Sequence, residues 1–185
     1  MKFLYNAPAI KHKGALIVGD THFGMESKLR KKGIYDNQFS IRLFYKLEEL
    51  IKKNKIKKLI LLGDVKEEIK FLDGQVKEIL IRLSKLCEVI IVRGNHDGGI
   101  ESFGQVKVVD AQGIVYEKLG LIHGHSWPSE ELMKCDYLIV AHQHPCIAIT
   151  DAFGKKKTEP VWLIASADDE KIEERYKKHN KRNYW

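Results

Sequence analysis

Three short apolar runs, at residues 15–18, 59–62 and 89–92, alternate with two longer amphipathic stretches, and this alternation leaves few architectures open. Residues 36–54 place Phe39, Leu43, Leu47, Leu50 and Ile51 on one face of a helix, and residues 76–86 do the same with Val76, Ile79, Leu80, Leu83 and Leu86. Two strand–helix–strand crossovers then set the three strands parallel, in an α/β fold. From about residue 105 the pattern becomes short strands joined by turns. Residues 106–109, 113–116 and 119–122 read as strands, the last two linked by Glu117-Lys118 as a hairpin. Beyond them we expect a short helix starting near Ser126 or Pro128, a strand at 137–140, and a hairpin pairing 146–150 with 161–164. A last helix over 168–178, capped by Ser166, precedes the terminal Asn183-Tyr184-Trp185, whose aromatics point to a docking role. The second half is thus expected to be a mixed sheet, and residues 1–185 to form a single domain.

What terminates each apolar run carries the chemistry. The runs lead into Gly19-Asp20-Thr21-His22, Gly63-Asp64, Arg93-Gly94-Asn95-His96-Asp97, His123-Gly124-His125 and His142-Gln143-His144. In an open α/β sheet the loops at the carboxyl ends of the strands share one rim, so these side chains are expected to converge. In an extended segment, positions i and i+2 would aim Asp20 with His22, and His142 with His144. Gathering that many carboxylates and imidazoles without a cation costs several kcal/mol each. A pair of metal ions removes the cost. Asp, Asn and His donors without Cys favour manganese, iron, zinc or cobalt over thiolate zinc, calcium or copper(I).

Charge adds a hint of the partner. The chain has 32 Lys+Arg against 25 Asp+Glu, a formal net charge of +7. Lys52, Lys53, Lys55, Lys57 and Lys58 read as a solvated face and turn, whereas Lys28, Arg30, Lys31 and Lys32, in the loop after His22, are expected to border the metals and bind substrate. Arg93 is placed to bind phosphate or to form an ion pair. Three cysteines without close pairing, no membrane-length apolar run and no leader-like N-terminus are the pattern of a cytoplasmic protein. No phosphate-binding loop of the Gly-x-x-x-x-Gly-Lys-Ser/Thr type is present, which excludes that class of ATPase.

In order from Asp20 to His144, the motifs Asp-x-His, Gly-Asp, Gly-Asn-His-Asp, His and x-His-x-His resemble those of the calcineurin-like metallophosphoesterases, with Ala141 at the usual glycine of the last motif. Gly63-Asp64-Val65-Lys66, His-Gly-His and Ala-His-Gln-His-Pro make the chain most similar to the archaeal ICC-like phosphoesterases, whose bacterial relatives are linked to DNA repair. The resemblance implies a four-layer α/β/β/α sandwich with mixed sheets, here expected to lack the last C-terminal strands. It implies two divalent metals, manganese first, with iron, zinc, cobalt or nickel as alternatives. One would be held by Asp20, His22, Asp64 and His144, the other by Asp64, Asn95, His123 and His142, so that Asp64 bridges. His96 matches the general acid, oriented by Asp97 through its other ring proton, and His125 becomes an outer neighbour of the metals or a substrate contact. Hydroxide bridging the metals would attack a phosphodiester, in nucleic acid or a nucleotide. Where the family often carries a histidine after Gly-Asp, this chain has Glu67 and Glu68. Two rival classes are a non-catalytic scaffold like the retromer subunit of this fold and a basic nucleic-acid-binding module with a structural metal.

Overall fold

A computed structural model describes residues 1–180 and resolves them into two compact units, residues 1–142 and a second unit from Gln143 onward. The terminal aromatics Tyr184 and Trp185 lie outside the described residues. The first unit is built on a six-stranded sheet in chain order: β1 (Lys2–Phe3), β2 (Ala9–His12), β3 (Ala15–Gly19), β4 (Lys58–Leu62), β5 (Glu88–Val92) and β6 (Lys107–Val109). β1, β2 and β3 are antiparallel, and β3 to β6 run parallel. Helices α1 (Met25–Lys31), α2 (Phe39–Asn54) and α3 (Gly74–Ser84) lie in the connections.

The central strands read as unbroken apolar runs because both faces are covered. Leu16, Val18, Leu59, Leu61, Val89 and Ile91 pack with Phe44, Leu47 and Ile51 of α2 and Val76, Ile79, Leu80 and Leu83 of α3. The alternate residues Ala15, Ile17, Ile60, Leu62, Ile90 and Val92 pack instead with Leu119 and Leu121 of the second sheet. That sheet comprises β7 (Ile114–Tyr116), β8 (Leu119–Ile122) and β9 (Tyr137–Val140). β7 and β8 form the expected hairpin, with Glu117 (φ 47°) and Lys118 (φ 69°) both left-handed, and β8 runs parallel to β9. Helices, sheet and sheet are therefore three successive layers of the first unit in a mixed α/β fold.

The second unit holds the antiparallel hairpin β10 (Cys146–Thr150) and β11 (Lys156–Pro160), followed by α4 (Asp169–Asn180). The strand expected at 161–164 is displaced to Lys156–Pro160. Asp151 Oδ1 accepts from the backbone N–H of Phe153 and of Lys155, each at 2.9 Å, and Gly154 takes φ 81°, so the turn closes early and draws the next residues into pairing. The cap of α4 is Asp168, accepting from Lys171 N at 3.2 Å, rather than Ser166. Between β8 and β9 the expected helix is only a 3₁₀ turn, Leu132–Lys134. The basic segment after His22 is helix α1 rather than a loop. Buried Glu26 of α1 accepts from Ser40 N at 2.6 Å and from Ser40 Oγ at 2.7 Å, and that hydroxyl accepts Gly24 N at 2.8 Å. No helix among the described residues is long and apolar enough to cross a membrane.

Candidate metal centre

Parallel strands in register release their loops at one edge. Gly19 is paired with Leu62, and Leu62 with Val92, so the loops carrying Asp20, Asp64 and Asn95 start side by side, while Ile122 and Val140 align in the second sheet. Main-chain bonds stitch the first two loops together, from Asp20 N to Gly63 O (3.2 Å), His22 N to Asp64 O (2.9 Å) and Phe23 N to Val65 O (2.8 Å). Asp64 Oδ1 accepts His96 N at 2.9 Å, and Asp20 Oδ2 accepts His142 N at 3.0 Å, linking the third and fifth loops to them.

The backbone that aims these side chains is left-handed rather than extended. Asp20 (φ 51°), His22 (45°), Asp64 (47°), His142 (66°) and His144 (42°) all occupy that region, each at a cost of about 1–2 kcal/mol for a residue with a Cβ. Strain of this kind concentrates where a surrounding structure must over-determine a reactive group. Gly63, at φ 70°, also has no room: a Cβ there would stand 2.5 Å from His123 Cγ. Gly94 is equally confined, because a Cβ would collide with the Asp64 main chain and carboxylate.

Fully buried His123 shows what these loops enclose. Its Nδ1 lies 2.8 Å from the Leu62 carbonyl, which can only accept, so Nδ1 carries the proton and the neutral ring presents a lone pair at Nε2. Around Nε2 stand Asn95 Oδ1 at 3.1 Å, His142 Nδ1 at 3.1 Å and Asp64 Oδ1 at 3.4 Å. A proton, on His123 Nε2 or on His142 Nδ1, or a metal satisfies the lone pairs that meet there. Burial alone would depress the His123 pKa, but the Asp64 carboxylate, the Leu62 carbonyl and the Asp20 charge outweigh it and raise it. Burial likewise opposes the charge on Asp64, yet hydrogen bonds from His123 and His96 hold its carboxyl below the usual range. Asp64, His123 and His142 each place a donor atom within 4.8 Å of the others, the spacing of a divalent-ion site.

A second group, His22, Glu67 and His96, meets the same criterion. Glu67, buried on the first unit's rim, brings Oε2 to 2.8 Å from His22 Nδ1 and Oε1 to 2.6 Å from Lys28 Nζ. Its backbone carbonyl lies 2.9 Å from His96 Nδ1. His96 therefore donates from Nδ1 to Glu67 and turns Nε2 outward, and the rings of His22 and His96 stand edge to face with centroids 5.4 Å apart. Sequence reasoning left Glu67 without a role; its signal was position, directly after the Gly-Asp loop.

Asp97 does not orient His96. Its completely buried carboxylate accepts from the backbone N–H groups of Val65 (2.8 Å), Lys66 (3.4 Å) and Gly94 (2.8 Å), clamping the second loop to the third. Burial pushes its pKa up against those bonds. Lys66, 1% exposed, completes the clamp from its own side, donating from Nζ to the carbonyls of Glu68, Ile69 and His96. Burial lowers its pKa.

The candidate substrate cations are partly engaged. Lys28 pairs with Glu67, Arg30 donates to Asn37 at 3.0 Å, and Arg93 pairs with Glu101 at 2.9 Å. A cavity of about 360 Å³ between α1 and the segment after β4 is lined by Arg30, Lys31, Phe71 and Lys66, among others. His125 is exposed, its ring centroid 5.2 Å from that of His123 and 6.2 Å from that of His142. His144 belongs to the second unit, just before β10.

Among solved structures, the nuclease MPE of Pseudomonas putida is similar to this chain at a TM-score of 0.46 and 24% identity, over 72% of this chain. The match spans 62% of the nuclease, less than two thirds of its length. A comparison with curated proteins gave no significant match. The family model for calcineurin-like phosphoesterases matches residues 15–172, which takes in every strand-end motif described above, and the chain belongs to that family.

Proposed function

We propose that the protein is a binuclear metal-dependent phosphodiesterase of the ICC-like group, acting in the cytoplasm on nucleic acid or small nucleotides. The observation that carries this reading is the ring of donors around His123 Nε2. With Nδ1 committed to a carbonyl, three ligand atoms at 3.1–3.4 Å face Nε2, an arrangement that a divalent cation in place of a proton would fit. Asp64, Asn95, His123 and His142 would hold one metal, and Asp20, His22, Asp64 and His144 the other. The donor chemistry suits manganese first among the borderline cations. Two such ions, when bound, supply Lewis acidity and lower the pKa of a coordinated water.

The chain's own residues do the rest. Asp64, fixed by His96 N–H, keeps its carboxylate ionised between the two donor groups. His96, anchored at Nδ1 by Glu67 O, offers Nε2 for proton transfer to the leaving oxygen. Lys28 and Arg30 on α1, beside the donor set, neutralise phosphate charge, and Arg93 borders the third loop; His125, near His123 and His142, is placed to touch the bound ester.

Steady-state hydrolysis of bis-p-nitrophenyl phosphate with manganese, alongside metal content, tests the reading. Asp64→Ala should lose metal from both sites. His96→Ala should keep its metals and lose about 10²–10⁴ in turnover on esters with poor leaving groups. A wild-type protein without metal-dependent turnover, or Asp64→Ala with full metal content, would remove the proposal in favour of a scaffold or binding module.

A further inference from the structure

We propose that Lys66 is a positioning residue for His96: by gathering three main-chain carbonyls it sets the distance between the loop that carries the ring and the segment that holds its Nδ1. This deepens the functional reading above and rests on it. His96 is held from outside its own loop at two points. Its ring Nδ1 lies 2.9 Å from the Glu67 carbonyl, and its own carbonyl accepts from Lys66 Nζ at 2.7 Å. The same Nζ donates to the carbonyls of Glu68 and, at 2.9 Å, of Ile69, the two residues directly after Glu67. A carbonyl can only accept, so three of them take up all three N–H groups of an ammonium. One side chain therefore grips both sides of the contact that aims the ring. Gly98 shows how tightly the two segments are drawn together, because a Cβ there would stand 3.0 Å from Ile69 O. Asp64 and Asp97 hold amides of these loops, and Lys66 holds the carbonyls.

Lys66→Met keeps the length of the stem and removes every donor. Three carbonyl dipoles then converge with nothing between them, so the segments separate and the Glu67 carbonyl moves away from His96 Nδ1. Proton transfer needs Nε2 within about 2.6–3.2 Å of the leaving oxygen, so a shift of the ring is felt in that step. The test compares the p-nitrophenyl and phenyl esters of thymidine 5′-monophosphate, which transfer the same group but differ in how much the leaving oxygen needs a proton. Long-range ¹H–¹⁵N correlation spectra of the histidine rings in the metal-free protein report the His96 tautomer separately from activity.

In the wild type, His96 should show a single Nδ1–H tautomer; in Lys66→Met it should become a mixture of tautomers. With manganese, Lys66→Met should lose about 10- to 100-fold in kcat on the phenyl ester, far less on the p-nitrophenyl ester, and little in KM. Because Lys66 acts through His96, the double variant Lys66→Met/His96→Ala should be no slower than His96→Ala alone. Lys66→Gln, which keeps two N–H donors, serves should Lys66→Met fail to fold, with the same signatures at smaller size. Equal losses on both esters, or a Lys66→Met effect undiminished in the His96→Ala background, would overturn the role of Lys66 even if the enzyme is a metallophosphoesterase. A wild type without metal-dependent turnover would overturn the functional reading instead. The ring spectra would then still decide, since an unchanged Nδ1–H tautomer of His96 in Lys66→Met overturns the positioning.

Discussion

His123 ties proton and metal together at a single nitrogen. In the metal-free protein its pKa is raised, so the proton on Nε2 belongs to the folded state more than to the unfolded one. Its contribution to stability is complete below the ordinary value of about 6.5 and is lost as pH rises through the raised folded value. Asp64 behaves oppositely: its depressed pKa contributes stability above the ordinary carboxylate range, lost only as pH falls through the depressed value, well below the His123 window. A metal must displace the His123 proton, so its affinity should grow with pH where stability without it declines. We therefore expect the rise in melting temperature caused by manganese, relative to chelator-treated protein, to increase from pH 6 to pH 8. A rise independent of pH would mean that the ion does not replace that proton. Legibility at this scale followed chain position: the convergence of Asp20, Asp64, Asn95, His123 and His142 could be read because each follows an apolar run. Glu67 could not, since its partners His22 and Lys28 come together with it only through the pairing of β3 with β4. The expected role of Asp97 failed because its adjacency to His96 in sequence says nothing about the three N–H groups that converge on its carboxylate.

Periodicity located the central strands and α2 and α3 to within a few residues, since each has an apolar face against a neighbouring layer. It missed α1, a seven-residue helix held by one buried carboxylate. Gln38 at the start of α2 makes no side-chain cap, and Glu26 supplies it from outside, accepting Ser40 N–H within the first turn, where a negative charge also suits the helix dipole. A cap donated from another element leaves no local pattern to read. Glu26→Ala strands the amide and hydroxyl of Ser40 and should cost about 1–3 kcal/mol. Urea unfolding checks this: the midpoint should fall, and recovery in the double variant Glu26→Ala/Ser40→Ala should be partial. An unmoved midpoint would show that α1 is not fastened there. The second hairpin escaped for a related reason, because Asp151 at its turn decides the register before the apolar residues at 161–164 can.

For the whole molecule, charge bears on the substrate proposed above. A net charge of +7 favours an extended anionic backbone over a small monoester, and α1 places Arg30 and Lys31 at a cavity that also includes Phe71. Each phosphate neutralised on a single strand contributes about 0.7 to the slope of log affinity against log salt. Changing Arg30, Lys31 and Lys32 to Gln should therefore flatten the slope for a labelled single-stranded oligonucleotide by up to about 2. Fluorescence anisotropy across a salt series measures it. A slope equal to that of the wild type would move nucleic acid away from α1 and leave small nucleotide diesters as the substrate class.

Lys66 places its side-chain nitrogen beneath the second and third loops. Because its ammonium holds the carbonyls of Glu68, Ile69 and His96, and Asp97 holds amides from the same two loops, their shape is set by the chain itself. An ion bound as proposed would meet loops already shaped and would have no folding to drive. Its capture would then be set by loss of hydration water and of the His123 proton, and not by rearrangement of these loops.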